Sequence, residues 1–247
     1  MRHIIVCGYP RSGTTMFYNM MCSSVRGYTA FDKEVAAAKV IGLEKSNVMS
    51  KSPLDLFKLD HILRANNLGK QILLLILIRD IRSIITSYNI AVPDDYFVAY
   101  DLSYSPDHMG NTPYNAPGII PTADAIKKAV KHPGFQSIIV RYEDLLSNPR
   151  AQQEKIRDAT GIAFTGRFED FHKRPTPEGL TRQLNGRRPL DMSRLDAWKA
   201  DEHSQRIRSQ FTRCPALFDL LIEHGYEKNR DWFDRYRRKH PRGLSQA

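Results

Sequence analysis

The stretch Gly8-Tyr-Pro-Arg-Ser-Gly13-Thr14-Thr15 stands between an apolar run at residues 3–7 and a segment with helical spacing at residues 14–25. A strand, a glycine-bounded loop and a helix in that order turn backbone N–H groups toward an anion at the positive end of the helix. Glycine serves where backbone must approach the anion, and Thr14 and Thr15 add hydroxyl donors. The two glycines keep the spacing of the GxxxxGK[ST] phosphate loop, but Thr14 stands where that loop carries lysine. In NTPases the lysine reaches the β- and γ-phosphates, so its loss points to a 5′-phosphate site and away from a conventional ATPase or GTPase. An ordinary strand–helix turn accounts for either glycine singly, and poorly for strand, loop and helix together.

Outward from this loop the two periods keep alternating. Residues 47–50 read as a short strand before Lys51-Ser52-Pro53, and residues 53–66 as a helix. Residues 71–78 are too short for a free-standing helix and suit a strand buried on both faces. Helical spacing resumes over residues 81–91. Residues 137–141 form another buried strand, and residues 149–160 a helix with proline in its first turn. Two stretches break the pattern and read as loops: 93–121, with five prolines and a series of tyrosines, and 173–190, rich in Arg, Pro and Gly. The alternation predicts an α/β fold of three layers, with a central, mainly parallel sheet, helices on both faces and a phosphate loop after the first strand. Without an internal repeat or linker, residues 1–247 read as one domain. Its core spans 1–165, and its C-terminal helical cap, 166–247, has helical spacing around Leu195, Trp198, Ile207, Phe211, Leu217, Leu220, Leu221 and Ile222.

Composition limits the function classes. At 247 residues, 41% hydrophobic and 10% aromatic, folding buries roughly 70% of the chain's surface, so neither disulfides nor metal is needed for a core. The longest apolar run, residues 72–78, falls short of the about 20 residues of a membrane span. The first apolar strand begins too early for a signal peptide. Cys7, Cys22 and Cys214 are odd in number and form no CxxC pair, which favours a reducing compartment and a soluble, cytoplasmic protein. The eight histidines form no HExxH or Cys/His cluster, so no metal is expected. A net charge of +10 implies an anionic partner. Residues 167–247 carry 18 Lys+Arg against 12 Asp+Glu, including the tail Arg235-Tyr-Arg-Arg-Lys-His-Pro-Arg242. The excess is spread, and no helix-turn-helix, zinc-finger or RNA-binding signature accompanies it, which argues against a nucleic-acid binding module. A P-loop nucleotide kinase is the nearer rival, weakened by the missing lysine and the lack of a clear Walker B aspartate.

Three blocks carry a family resemblance: Tyr9-Pro-Arg-Ser-Gly-Thr-Thr15, Ile78-Arg-Asp-Ile-Arg-Ser-Ile-Ile-Thr-Ser-Tyr88 and Val140-Arg-Tyr-Glu-Asp-Leu-Leu-Ser-Asn-Pro149. With them the sequence resembles the sulfotransferases that use 3′-phosphoadenosine 5′-phosphosulfate (PAPS) and release adenosine 3′,5′-bisphosphate. The resemblance implies that Arg11, Ser12, Gly13, Thr14 and Thr15 bind the 5′-phosphosulfate, that Arg79 and Ser87 bind the 3′-phosphate, and that Tyr142 lies near the nucleotide. An Arg leaving a buried strand presents a fork of donors to phosphate. Taken alone, Arg79 equally suits an ion pair with Asp80 or Glu143, and Tyr142 plain sheet packing. Arg82 reads as a solvated helix residue.

The cytosolic small-molecule branch places a catalytic His after a Lys-Thr motif, where this chain has Lys51-Ser52-Pro53. The sequence is more similar to the bacterial and Golgi-type branch that acts on carbohydrate and tyrosyl hydroxyls with a Glu base. That resemblance implies Glu34 as base with Arg11, Lys51 and Ser193 completing the catalytic set, and a carbohydrate or glycoconjugate as acceptor. An acceptor hydroxyl must lose its proton as it attacks sulfur, so a carboxylate or imidazole must lie in reach. Asp32, His61 and His108 are the other candidates for that role. Arg187 and Arg188 precede Ser193 and are expected to close over the nucleotide, with the 93–121 loop as acceptor lid. The rest of the positive charge suits peripheral contact with an anionic or lipid-linked acceptor.

Overall fold

The computed structural model describes residues 1–43, 46–87, 101–104, 114–175, 179 and 188–240. They divide into two compact units, Met1–Arg79 with Asp124–Met192, and Asp80–Ala123 with Ser193–Ala247.

The first unit is built on five parallel strands: β1 (Arg2–Gly8), β2 (Tyr28–Ala30), β3 (Asn47–Lys51), β4 (Gln71–Ile78) and, after two strands of the other unit, β7 (Gln136–Arg141). Their order across the sheet is β2-β3-β1-β4-β7. The sheet is thus α/β in class, with α1 (Thr14–Ser24), α2 (Ala37–Val40), α3 (Leu59–Ala65), α6 (Tyr142–Ser147) and α7 (Pro149–Thr160) among the helices that flank it. Seven of the eight residues of β4 are buried, which is why the segment carries an unbroken apolar run rather than an alternating one. Phe17 and Met21 of α1 join Leu73, Leu75, Leu77, Ile156 and Phe168 in one core. Each such side chain, fully buried, stabilises by about 1.5–3 kcal/mol. Growth of the sheet reverses at β1, with β2 and β3 on one side and β4 and β7 on the other. Ligands of open α/β sheets bind beyond the strands' carboxyl ends at such a switch point.

Capping explains the sharpest match between sequence and structure. Pro149 opens α7, the Asn148 side chain accepts from Ala151 N, and Gly161 closes it at φ 67°. Elsewhere the chain departs from its periodicity. The expected helix over 53–66 breaks at Lys58 into a 3₁₀ turn, Pro53–Phe57, and α3, because Lys58 leaves helical geometry at φ −127° and ψ 23°.

In the second unit, α4 (Ile81–Ile85) ends well before residue 91. Thr86 leaves the helix at φ −101° and ψ 1°, and Ser87 N bonds back three residues to Ile84 O. The 93–121 stretch is not all loop. β5 (Asp101–Tyr104) and β6 (Tyr114–Pro117) pair antiparallel, and α5 (Ile119–Lys131) begins inside it with Pro121 in its first turn, where proline removes no helical bond. Helices Ser204–Arg213, Ala216–Glu223 and Asp231–Lys239 follow. Phe211, Phe218, Trp232 and Phe233 pack edge to face among them, with ring centroids from 5.0 Å apart.

Arg82 is not solvated. It is 4% exposed, forks onto Asp80 at 2.7 Å, bonds Glu227 at 2.5 Å, and lies over the rings of Trp198 and Trp232 at 4.0 and 4.6 Å. Two carboxylates and two indoles replace its water. A helix of five residues has no face that must be solvent, so the helical reading had no bearing on its burial.

Candidate functional site

The first unit gathers its chemistry where β1, β3, β4 and β7 end. Gly8 has φ 131°, and a Cβ there would fall 2.2 Å from Leu77 O, so only glycine lets the chain leave the sheet against β4. Tyr9 N bonds Leu77 O at 3.1 Å, and the buried Ser12 hydroxyl donates to Tyr9 O at 2.6 Å. Ser12 therefore braces the loop with its side chain. Arg11 holds a left-handed φ of 66°, rare outside glycine. Its carbonyl accepts from Arg79 Nη1 at 3.0 Å, which ties the loop to the end of β4.

Gly13 caps α1 at φ 93° and has no side chain to bond the amides that open the helix. Its missing Cβ leaves room for Tyr142, whose Cδ2 would stand 2.5 Å away from one. The Tyr142 ring in turn carries the Arg79 guanidinium at 4.2 Å. Among the described residues Arg79 makes no ion pair with Asp80 or Glu143, and its buried Nε has no hydrogen-bond partner. Thr14 is buried at the helix start and Thr15 half-buried. Gly13→Ala forces both a strained φ and a clash with Tyr142. It is expected to lower the melting temperature by about 2–12 °C, in keeping with about 1–3 kcal/mol for such strain, and to weaken anion binding in calorimetry.

The end of β3 holds the other half. Lys51 is 3% exposed, and its Nζ meets Glu34 Oε2 at 2.5 Å, with Glu34 about half exposed. Parallel pairing closes the 17-residue gap. Tyr18 of α1 takes the Phe31 amide on its hydroxyl at 2.9 Å and donates to Met49 O at 3.0 Å. Val35 N then bonds Lys51 O at 3.2 Å, and Ala37 N donates to Asp55 Oδ2 at 3.0 Å. Asp55 is 1% exposed. Burial pushes its carboxyl up to about 7, the Glu34 charge adding to this and the Ala37 amide and Lys58 opposing it. The fold thus prefers neutral Asp55, and from about pH 4 to 7 this group lowers stability as pH rises. Neither Tyr18 nor Asp55 stood out in the sequence; an acid two residues past Pro53 was the available signal.

The loop residues, Arg79, Tyr142, Lys51 and Glu34 all belong to the first unit, as do Asp32 and His61, both exposed and neither bonded to Lys51. Ser87, half-buried, and Ser193, exposed on a 3₁₀ turn, belong to the second. Arg188 is exposed. Arg187, His108 and most of the expected 93–121 lid lie outside the described residues. Among the described residues no group of three His, Cys, Asp or Glu is arranged to hold a metal ion, and no helix is long and apolar enough to cross a membrane.

No family model and no curated protein sequence matches the chain. Among solved structures it is similar to the sulfotransferase domain of the Synechococcus PCC 7002 olefin synthase, at 15% identity and a TM-score of 0.49 over 81% of this chain and 87% of that one. It is also similar to the sulfotransferase domain from the curacin biosynthetic pathway, at 15% identity and a TM-score of 0.49 over 86% and 98%.

Proposed function

We propose that this chain is a sulfotransferase that moves the sulfuryl group of PAPS onto an acceptor hydroxyl by in-line displacement. The observation that carries the reading is Arg79. Its Nη1 is spent on the loop and its plane rests on Tyr142, while its buried Nε has no partner. A buried orphan donor costs about 1–3 kcal/mol unless something accepts from it, and a phosphate oxygen answers that need with a charge-assisted bond. The glycine-bounded loop offers the α1 amides to a second anion, and Thr14 in place of lysine suits a 5′-phosphosulfate better than a triphosphate. A ligand phosphorylated at both 3′ and 5′ positions fits this pair of donors.

In this reading the acceptor oxygen attacks sulfur and its proton passes to Glu34. The bond from sulfur to the bridging oxygen breaks, and adenosine 3′,5′-bisphosphate departs with the charge, met by Lys51 and Arg11. The Glu34–Lys51 pair gives each partner its role: as Lys51 turns to the leaving oxygen, Glu34 is released to the acceptor. Positioning and fixed charge supply most of the acceleration, as in phosphoryl transfer. Within the same unit, Arg188 is a further donor that the resemblance assigns to the nucleotide. A carbohydrate or glycoconjugate hydroxyl is the acceptor that the branch resemblance favours.

Radiolabelled PAPS offered with saccharides, lipid-linked sugars, small metabolites and tyrosyl peptides tests the reading. Label is expected on a saccharide. Arg79→Lys, which keeps the charge and loses the fork, is expected to raise the KM for PAPS about 10- to 100-fold. Magnesium-dependent ATP turnover with no labelled acceptor would establish the nucleotide kinase instead.

A further inference from the structure

The Glu34 segment hangs from the sheet by few bonds. Upstream, the Phe31 amide is held by Tyr18. Downstream, Val35 N reaches Lys51 O, and Ala37 N reaches Asp55. Asp55 sits on the 3₁₀ turn that follows Lys51 and Ser52 directly, so one short stretch supplies both the lysine that meets Glu34 and the carboxylate that holds its backbone three residues on. A carboxylate that is 1% exposed is costly to bury. Its protonation is coupled to the groups around it: Glu34 raises and Lys58 lowers its pKa, and in its ionised form Asp55 helps hold the Cys7 thiol protonated behind the dominant effect of burial. The Ala37 amide answers only one of its oxygens. A hydrophobic residue would fill this site at lower cost, unless the backbone at Ala37 has to be kept in place.

We infer that Asp55 is a positioning residue, which fixes the Glu34 backbone through the Ala37 amide and so keeps the Glu34 carboxylate on Lys51. It touches no reacting atom; it acts through Glu34. The inference rests on the sulfotransferase reading for its catalytic consequence, and on the hydrogen bond alone for its structural one. Asp55→Asn keeps an oxygen in place for Ala37 N–H. Asp55→Ala removes it.

The test combines amide hydrogen exchange with kinetics on the full chain. In Asp55→Ala, exchange at Val35 and Ala37 is expected to quicken at least tenfold while amides of β1 and β4 keep their protection, which separates local release from unfolding. Asp55→Asn is expected to stay within about threefold of wild type. Unchanged exchange in Asp55→Ala overturns the anchor whether or not the protein uses PAPS. On an acceptor labelled from PAPS, Asp55→Ala is expected to lose at least tenfold in kcat with KM for PAPS within twofold, and Asp55→Asn to recover most of it. Quickened exchange with unaltered kcat overturns the positioning role. Absence of any PAPS binding by the wild type, with the exchange result intact, overturns the sulfotransferase reading and leaves the anchor standing.

Discussion

Glu34→Gln is expected to bind adenosine 3′,5′-bisphosphate as tightly as wild type and to transfer sulfuryl groups 10²- to 10⁴-fold more slowly. The amide still offers an oxygen to Lys51 Nζ, so the 2.5 Å contact and the local backbone persist. In the proposed reaction what disappears is the proton acceptor, and a positioned general base contributes about 10²–10⁴ in rate. Charge sharpens the expectation. Lys51 is nearly fully buried, and Glu34 is the one carboxylate paired with it among the described residues. Without that negative charge beside it, Lys51 holds an anionic nucleotide equally well or better. Kinetics with labelled PAPS and calorimetry with the bisphosphate separate the two effects. Wild-type kcat in Glu34→Gln would move the base to another group, with Asp32 and His61 next in line.

The largest effect on stability is expected at Arg82. Arg82→Met keeps the bulk that lies against Trp198 and Trp232 but leaves the buried Asp80 carboxylate and Glu227 without their cation. Removing one partner of a buried pair costs about 3–5 kcal/mol, because an uncompensated charge remains. At about 2–4 °C per kcal/mol for a chain this long, the melting temperature falls by roughly 6–20 °C. Removing the acid as well, in Asp80→Asn with Arg82→Met, is expected to recover part of that loss. Calorimetric scans of the single and double variants measure both. A shift under about 1 °C in Arg82→Met would mean that Arg82 behaves as an ordinary surface residue.

Arg82 also shows where sequence reasoning stops. It forks locally onto Asp80, but its burial is decided by Glu227, 145 positions away, and by indoles from two further elements. No local period encodes such partners. By contrast β4 and α7 match their expected bounds, because in each a single local cause decides: an apolar run closed by Gln71 and Arg79, and a helix framed by Asn148, Pro149 and Gly161. Pro117 and Pro121 misled for the opposite reason. Proline reads as loop, yet it fits the end of a two-stranded ribbon and the first turn of α5 equally well.

The candidate site divides the same way. The Gly8–Gly13 loop is legible because its glycines answer backbone demands of the loop itself, the contacts with Leu77 O and the Tyr142 ring apart. The resemblance implies Lys51 and Glu34 as separate site residues, and parallel pairing of β2 with β3 brings them together as a pair. Asp55 was invisible because its partner is a backbone amide, which every residue but proline carries. Only the tertiary register says which one it meets.

In the proposed reaction the α1 amides beyond Gly13 and the unspent edge of Arg79 serve one nucleotide phosphorylated at both 3′ and 5′. Calorimetric titration with adenosine 3′,5′-bisphosphate and with 5′-AMP, in the absence of magnesium, tests it most directly. The expected result is a Kd on the order of 10 μM or tighter for the bisphosphate, at least tenfold weaker binding of 5′-AMP, and loss of that preference in Arg79→Lys. Equal binding of the two nucleotides, or binding of ATP with magnesium in preference to both, would contradict it.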